Sequence, residues 1–541
     1  MNFFYTSIGG GIAGIETLIN IIQNLKKHKF KNISKKIIHF AIIDKKPENI
    51  PGGVAYGFHN SQFGFFNNPI RLSPKNFTNW VKQKKNKERI IDYLSRYGGY
   101  TGKKWIKNNK EVLSKNNNNN FQELYLPRVS ANFWMEDKLI NLIDIVNKIN
   151  KNSKLFIKIN FFAGEVIDIY NKKKYKKIIF KANKCFELDY SIKAGSLKKF
   201  NFFETGKVLN SINSLSQSIG IGLTPPKQFA SNKAQANKNY IWDFYDEGST
   251  SGLLKKIKKI NKKSIKIYFI GYKAGLLESL PELLENMKRI KAKIKLYCSS
   301  KDLKTIQMAK HSSNTKKYNL THVSKKNIKK INTAKKLHEN INKELESSNY
   351  SSYNKYDIWT EILKKNIISH CLKNLSKKEK KKYNEFYHAK IRNTTRFTYP
   401  ETIIAREKLM KKKHLISNKE IVRKVDFIKK KLIVNSINQL NKKKNYICDL
   451  VVNVSGPMSV EKIKNEIPLL GSLKRNGAIN TPNGFVVNKN FEIKGLAKTF
   501  TPGTIAVGFN PERKTIIDAI LKNSSLVAKC IYKNIVSSVY E

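Results

Sequence analysis

Arginine is scarce in this sequence. Of its 104 basic residues only 11 are Arg, which leaves 93 Lys, set against 40 Asp and Glu for a formal charge of +64. Nucleic-acid sites concentrate Arg, whose planar fork makes paired hydrogen bonds to bases and phosphates. Here the lysines run along the entire chain, with Asn and Ile also abundant, the skew that an AT-rich coding sequence produces. A nucleic-acid partner is therefore not expected, although the charge favours anionic small molecules by long-range attraction. Cysteine is scarce as well: Cys185, Cys298, Cys371, Cys448 and Cys530 include no Cys-x-x-Cys. That excludes the dithiol of the disulfide-active flavin reductases and fits a reducing cytoplasm. The nine histidines never cluster with Cys at metal-ligand spacing, so no metal is expected. No apolar run reaches the ~18 residues of a membrane span. The short apolar run at the start leads into glycines rather than a cleavage site, so neither membrane insertion nor secretion is expected.

What the sequence has is a glycine turn in a telling place. Phe3-Phe4-Tyr5-Thr6-Ser7-Ile8 reads as a buried strand and passes directly into Gly9-Gly10-Gly11-Ile12-Ala13-Gly14. Ile15, Leu18, Ile19, Ile22 and Leu25 then recur at helical spacing, and an apolar strand over 37–43 ends in Asp44. Strand, Gly-x-Gly-x-x-Gly, helix, strand, acid is the dinucleotide-binding order, and each part has a mechanical reason. Gly9 permits the tight turn, Gly11 lets the backbone approach a pyrophosphate, and Gly14 lets helix and strand pack closely. Asp44 accepts two hydrogen bonds from a ribose and repels a 2′-phosphate. It follows Gly14 by 30 residues, where about 20 is usual, and the basic stretch 26–36 accounts for the excess. A glycine cluster capping an ordinary strand–turn–helix is the plainer alternative.

At 541 residues, and about 150 per domain, the chain makes two to four domains. A second nucleotide-like unit starts near residue 264, where Ile265-Lys266-Ile267-Tyr268-Phe269-Ile270 runs into Gly271-Tyr272-Lys273-Ala274-Gly275 and a helix carrying Leu276, Leu277, Leu280, Leu283 and Leu284. Lys273 stands where the second glycine is expected. Its side chain obstructs backbone approach to a pyrophosphate, or its ammonium pairs with a phosphate instead; both readings stay open. Residues 301–424 are Lys- and Asn-rich with a helical pattern, and 116–120 is a solvated asparagine loop. His370 and His388 lack an assignable partner acid, so no catalytic base is named.

Further segments follow in order: Gly53-Val54-Ala55-Tyr56-Gly57, then Asn67-Asn68-Pro69, then Tyr125-Leu126-Pro127-Arg128 leading into a helix with Phe133, Trp134 and Glu136. Together they resemble the FAD-NAD(P)-binding family that includes the FAD-dependent urate hydroxylase type. The resemblance implies an α/β fold, an FAD-binding Rossmann-like domain with an inserted second dinucleotide-binding-like domain and a helical elaboration. Its expected bounds are 1–225 for the first part of the FAD domain, 226–424 for the insertion, and 425–541 for the return. It also implies cofactor contacts at Gly9, Gly11, Ala13, Gly14, Asp44, Gly53, Ala55, Tyr56, Asn67 and Arg128, and on the return at Gly456, Pro457 and Gly503. Gly271 and Gly275 would face NAD(P)H. By the same resemblance the protein is a cytoplasmic, FAD-dependent, NAD(P)H-using oxidoreductase, a monooxygenase or hydroxylase acting on a small molecule. The alternatives are a flavin oxidoreductase without oxygen transfer and a non-catalytic nucleotide-binding protein with a degraded second site.

Overall fold

The computed structural model describes the chain except residues 1, 32, 59–61, 116–120, 153, 173, 189–201, 206–208, 223, 273, 291, 301–305, 311–317, 464–466 and 513–514, and except the side chains of 115, 152, 183, 187–188 and 202–205. The asparagine loop at 116–120 and Lys273 thus lie outside the described residues. The chain divides into two compact units, Met1–Phe58 with Val129–Thr224 and Ser459–Glu541, and His59–Arg128 with Pro225–Met458.

In the first unit the opening strand Asn2–Ile8 lies parallel between Lys36–Asp44 and Ser211–Ile219. The strand Leu155–Asn171 extends the sheet in parallel beyond Lys36–Asp44 and then turns antiparallel against Lys176–Leu188. The parallel and antiparallel strands are therefore two halves of one continuous sheet. The Ile12–Lys27 helix buries Ile15, Leu18, Ile19, Ile21, Ile22 and Leu25, at about 1.5–3 kcal/mol for each fully covered side chain. The last helix runs over Ile516–Tyr540, and Thr515 caps it by accepting from the Asp518 N–H.

The second unit is built on a five-stranded sheet in the order Leu415–Asn418, Lys293–Ser299, Ser264–Ile270, Leu450–Asn453, Tyr240–Ile241, every pair parallel. The helix Ala274–Arg289 covers it with Leu276, Leu277, Leu280 and Leu283, all fully buried. Helices Ala334–Glu346, Lys355–Lys364 and Ile367–Asn374 form a separate core around Leu337, Ile341, Trp359, Ile362 and Ile368. Glu420–Ile428, Lys431–Asn438 and Lys443–Cys448 make an antiparallel meander.

Two expected boundaries move. The return to the first unit comes at Ser459 rather than 425. Leu450–Asn453 is buried at every residue, the mark of an interior strand of a parallel sheet, and it fills the place between Ser264–Ile270 and Tyr240–Ile241. Residues 59–128, expected in the first domain, belong to the second unit. Buried polar contacts hold them there. The Thr101 N–H and hydroxyl both donate to Glu282 Oε1 at 2.6 Å, and the Tyr125 and Tyr356 hydroxyls bond at 2.7 Å.

Candidate dinucleotide site

The first unit gathers its strand ends at one place. Asn2–Ile8 lies between two parallel neighbours, one reached directly through the first helix and the other only much later in the chain, and ligands in such sheets bind in the crevice outside the carboxyl ends of the strands at such a place. The Gly9 N–H donates to Ile43 O at 2.8 Å and the Gly220 N–H to Ile8 O at 2.8 Å. Gly9 has φ +106°, and a Cβ there would come within 3.2 Å of the Gly220 backbone, so a side chain is excluded by both conformation and space. A Cβ on Gly14 would fall 2.2 Å from both Gly9 O and Ser7 Oγ, which is how closely helix and turn approach. No side chain caps the helix that starts at Ile12, so its first-turn N–H groups remain for a ligand's phosphates.

Asp44 closes one side. Its Oδ2 accepts from the Gly10 N–H at 2.6 Å and its Oδ1 from the Lys46 N–H at 2.7 Å. Burial raises its pKa above the ordinary carboxylate value, and the two backbone donors pull the other way without cancelling it. Each oxygen has a second lone pair for a ribose hydroxyl. The loop 51–57 closes another side, with Gly53 Cα 3.3 Å from where a Cβ on Gly11 would stand. Ala55 and the buried Tyr56 follow in the short helix Gly53–Tyr56. Ala13 O accepts from the Thr17 and Ser524 hydroxyls, which ties the first helix to the last. At the far edge the Thr501 hydroxyl donates to Ile219 O at 3.2 Å, the Thr504 hydroxyl bonds Gly222 O, and Gly503 lies between them against Ile221 O.

The second unit repeats the turn. Gly271 has φ +110°, its N–H donates to Ser299 O at 2.8 Å, and a Cβ there would lie 2.7 Å from Ser455 Cα. Gly275 packs against Phe244 and Val454. Gly456 and Pro457 follow the strand that abuts Gly271, and Pro457 bridges to Pro226. They belong to this turn and not to the first unit, a correction that follows from the buried strand before them. Asn67 and Arg128 lie in the second unit as well. Asn67 Oδ1 accepts from the Thr398 hydroxyl at 3.4 Å, beside a small cleft lined by Phe63, Phe65, Glu278 and Tyr399. The Arg128 guanidinium forms a two-pronged ion pair with Glu278 and also donates to Phe65 O at 3.2 Å.

No family description and no curated protein matches the sequence. Solved structures do match in three dimensions over nearly the full length. The ornithine N-hydroxylase of Kutzneria sp. 744, with reduced FAD, NADP+ and L-ornithine, has a TM-score of 0.51 at 10% identity, covering 98% of this chain and 99% of that one. The reduced form of the Pseudomonas aeruginosa ornithine hydroxylase has a TM-score of 0.53 at 10% identity, covering 98% of each chain. The chain has the two-dinucleotide-binding flavoprotein fold.

Within this flavoprotein fold, Gly9, Gly11, Ala13, Gly14, Asp44, Gly53, Ala55, Tyr56 and Gly503 stand in the first unit, and Asn67, Arg128, Gly271, Gly275, Gly456 and Pro457 in the second. Sequence reasoning did not pair Gly220 with Gly9, a partnership set by strand pairing alone. It also missed Asn49 and Asn132, two buried amides on either side of the 51–57 loop. The available signal was a polar residue inside the apolar run Ala131-Asn132-Phe133-Trp134-Met135. Among the described residues no helix is long and apolar enough to cross a membrane, and no group of three or more His, Cys, Asp or Glu is arranged to hold a metal.

Proposed function

We propose that the first unit binds FAD and that the protein is an NAD(P)H-using flavin oxidoreductase of the monooxygenase type. The observation that carries this is the crevice at the carboxyl ends of three parallel strands, floored by Gly9, Gly11 and Gly14 and flanked by Asp44. Its donor set fits a dinucleotide. The uncapped helix N-terminus meets the pyrophosphate, Asp44 takes the adenosine ribose, and the backbone at 503–504, held against Gly222 O, lines the end toward the flavin. When bound, FAD supplies the redox and oxygen chemistry, and the protein binds, orients and excludes water. The Gly271 turn, with Gly275, Gly456 and Pro457 around it, is the corresponding candidate for the pyridine nucleotide.

For the substrate we favour a small amine over a urate-like ring. The two structures named above are ornithine hydroxylases, whereas the likeness to the urate hydroxylase type rests on short sequence segments. The five free thiols are in keeping with a cytoplasmic location. A second reading, a nucleotide-binding protein without a working second site, is favoured by Leu276, which occupies the third glycine position of the fingerprint and is fully buried. The test is an absorbance spectrum of the purified protein, followed by anaerobic titration with NADH and NADPH and then by air with ornithine and related amines. Flavin absorbance that bleaches with a reduced pyridine nucleotide, and amine-dependent oxygen uptake, are the expected results. A colourless protein that takes up no FAD would remove the enzyme reading; a flavoprotein that neither nucleotide reduces would leave the second one.

A further inference from the structure

We propose that Asn132 is a cofactor-binding residue whose carboxamide donates to the pyrophosphate of the dinucleotide held at the turn of residues 9–14. This rests on the reading that the first unit binds FAD. Asn132 is fully buried in the first turn of the helix Val129–Asn152, and neither its Nδ2 nor its Oδ1 has a hydrogen-bond partner among the described residues. Buried polar groups in folded proteins are nearly always paired, so a carboxamide with both ends free marks a place where a partner is expected. Its position says which partner. Asn132 Oδ1 lies 2.4 Å from where a Cβ on Gly52 would stand, and a Cβ on the next residue, Gly53, would stand 3.0 Å from Gly11 Cα. Gly11 is the fingerprint position at which a pyrophosphate comes closest to the backbone. Amide, loop and turn thus converge within two residues of chain. A second free acceptor, Asn49 Oδ1, is buried at the other end of the loop against Gly57.

The chemistry selects the orientation. A pyrophosphate offers only acceptors, so Nδ2 donates to it, and Oδ1 is left to accept from an N–H. A carboxylate at 132 would have the same shape and the wrong charge. An apolar side chain of similar size would have neither donor nor charge, and would relieve the flavin-free protein of two unpaired polar atoms.

Titration of FAD into the full-length, flavin-free protein, read by flavin fluorescence, tests this beside the thermal melting of the same flavin-free samples. Asn132→Leu is expected to weaken FAD binding by about tenfold, as for one lost hydrogen bond to a charged group, and to raise the melting temperature of the flavin-free protein. Asn132→Asp is expected to weaken FAD binding further, by about 100-fold, because like charges meet in a partly buried site. Riboflavin, which carries no pyrophosphate, should bind all three proteins alike. Should both variants bind FAD within about twofold of the parent, Asn132 is a packing residue and the inference is wrong. If Asn132→Leu fails to fold, the near-isosteric Asn132→Asp decides alone. A parent protein that takes up no FAD removes the reading of the first unit and this inference with it, whereas a parent that binds FAD as its variants do removes the inference only.

Discussion

Two strand–turn–helix segments of this chain follow one plan. Gly9 and Gly271 both end a central parallel strand in a positive-φ conformation, +106° and +110°, and both donate at 2.8 Å to the last residues of the next strand. Each presses against the strand on its other side, at Gly220 and Ser455, and each is followed three residues later by a helix of 16 residues. The difference lies within the helix. A Cβ on Gly14 would meet backbone and Ser7 at 2.2 Å, but the matching position in the second unit is Leu276, a full side chain buried without displacing the strand. The acid differs too: Asp44 holds the Gly10 N–H, while the residue in register with it in the second unit is Ser300, next after Ser299. Strand geometry alone therefore makes the turn. The close approach of helix to turn that Gly14 permits has no glycine to allow it at the matching position of the second unit, where Leu276 stands.

The sharpest way to break this comparison is a pair of alanines. Gly14→Ala and Gly275→Ala each gain about 1 kcal/mol of helix propensity. At Gly14 the new methyl strikes a carbonyl oxygen and Ser7 Oγ at 2.2 Å, and a net loss of about 3 kcal/mol or more is expected. At Gly275 it meets the edge of the Phe244 ring and a Val454 methyl at 3.1 Å, both side-chain atoms, so the net change should be within about 1 kcal/mol. Urea unfolding of the two variants measures the difference, and equal midpoints would mean that the helix at Gly14 is no more tightly held against its turn than the helix at Gly275 is against its neighbours.

Next in size is Arg128. Expected as a cofactor contact, it is paired with Glu278, with side-chain exposures of only 15% and 10%. Arg128→Ala leaves a largely buried carboxylate alone, and a loss of about 2–4 kcal/mol is expected, somewhat below a fully buried pair because the site is partly open. Arg128→Ala with Glu278→Gln should recover much of it. A single variant as stable as the parent would mean that the guanidinium serves a ligand and not the fold.

Asp44→Asn comes third. The amide keeps one acceptor but sets its NH2 against a backbone donor, and FAD affinity should fall about tenfold, or about 1.4 kcal/mol. The pH dependence gives an independent check. Burial raises the Asp44 pKa, so the folded protein holds this proton more tightly than the unfolded chain does. That contribution to stability is complete below the ordinary carboxylate pKa and is lost as pH rises through the raised value. In the flavin-free protein Asp44→Asn should flatten the stability profile over that window, and an unchanged profile would exclude Asp44 as its source.

The first turn was legible because its chemistry is local. Gly9 to Gly14, the apolar helix face and Asp44 are all read from periodicity and spacing within 44 residues. The second sheet was legible in part: Ser264–Ile270 and its helix were found, but the strand Leu450–Asn453 was assigned to the wrong unit. Nothing in four apolar residues says which of two parallel sheets they complete, since that is decided by strand pairing across roughly 180 residues of chain. The same limit hid the pairing of Gly220 with Gly9 and the role of residues 59–128, whose ties to Glu278, Glu282 and Tyr356 are long-range hydrogen bonds with no motif. Asn132 was overlooked because an amide in an apolar helical run shows its significance only when its lack of partners is seen.

The smallest expected effect bears most directly on what the second turn does. Lys273 lies outside the described residues, and its role follows from sequence position alone, at the second fingerprint place. Were the turn a pyridine-nucleotide site that replaces close backbone approach with a lysine charge, Lys273→Ala would weaken NADPH binding about three- to tenfold at low salt. The deficit would shrink as salt rises, since screening acts on the charge and not on the backbone. Lys273→Gly separates the two contributions. It removes the charge and reopens the backbone, yet Leu276 still occupies the place of the third glycine, so it should recover little of what Lys273→Ala loses. Recovery to parental affinity would mean that close backbone approach can replace the lysine charge at this turn despite Leu276. NADPH binding that neither variant changes would mean that this turn holds no nucleotide and that its likeness to the first is one of strand geometry.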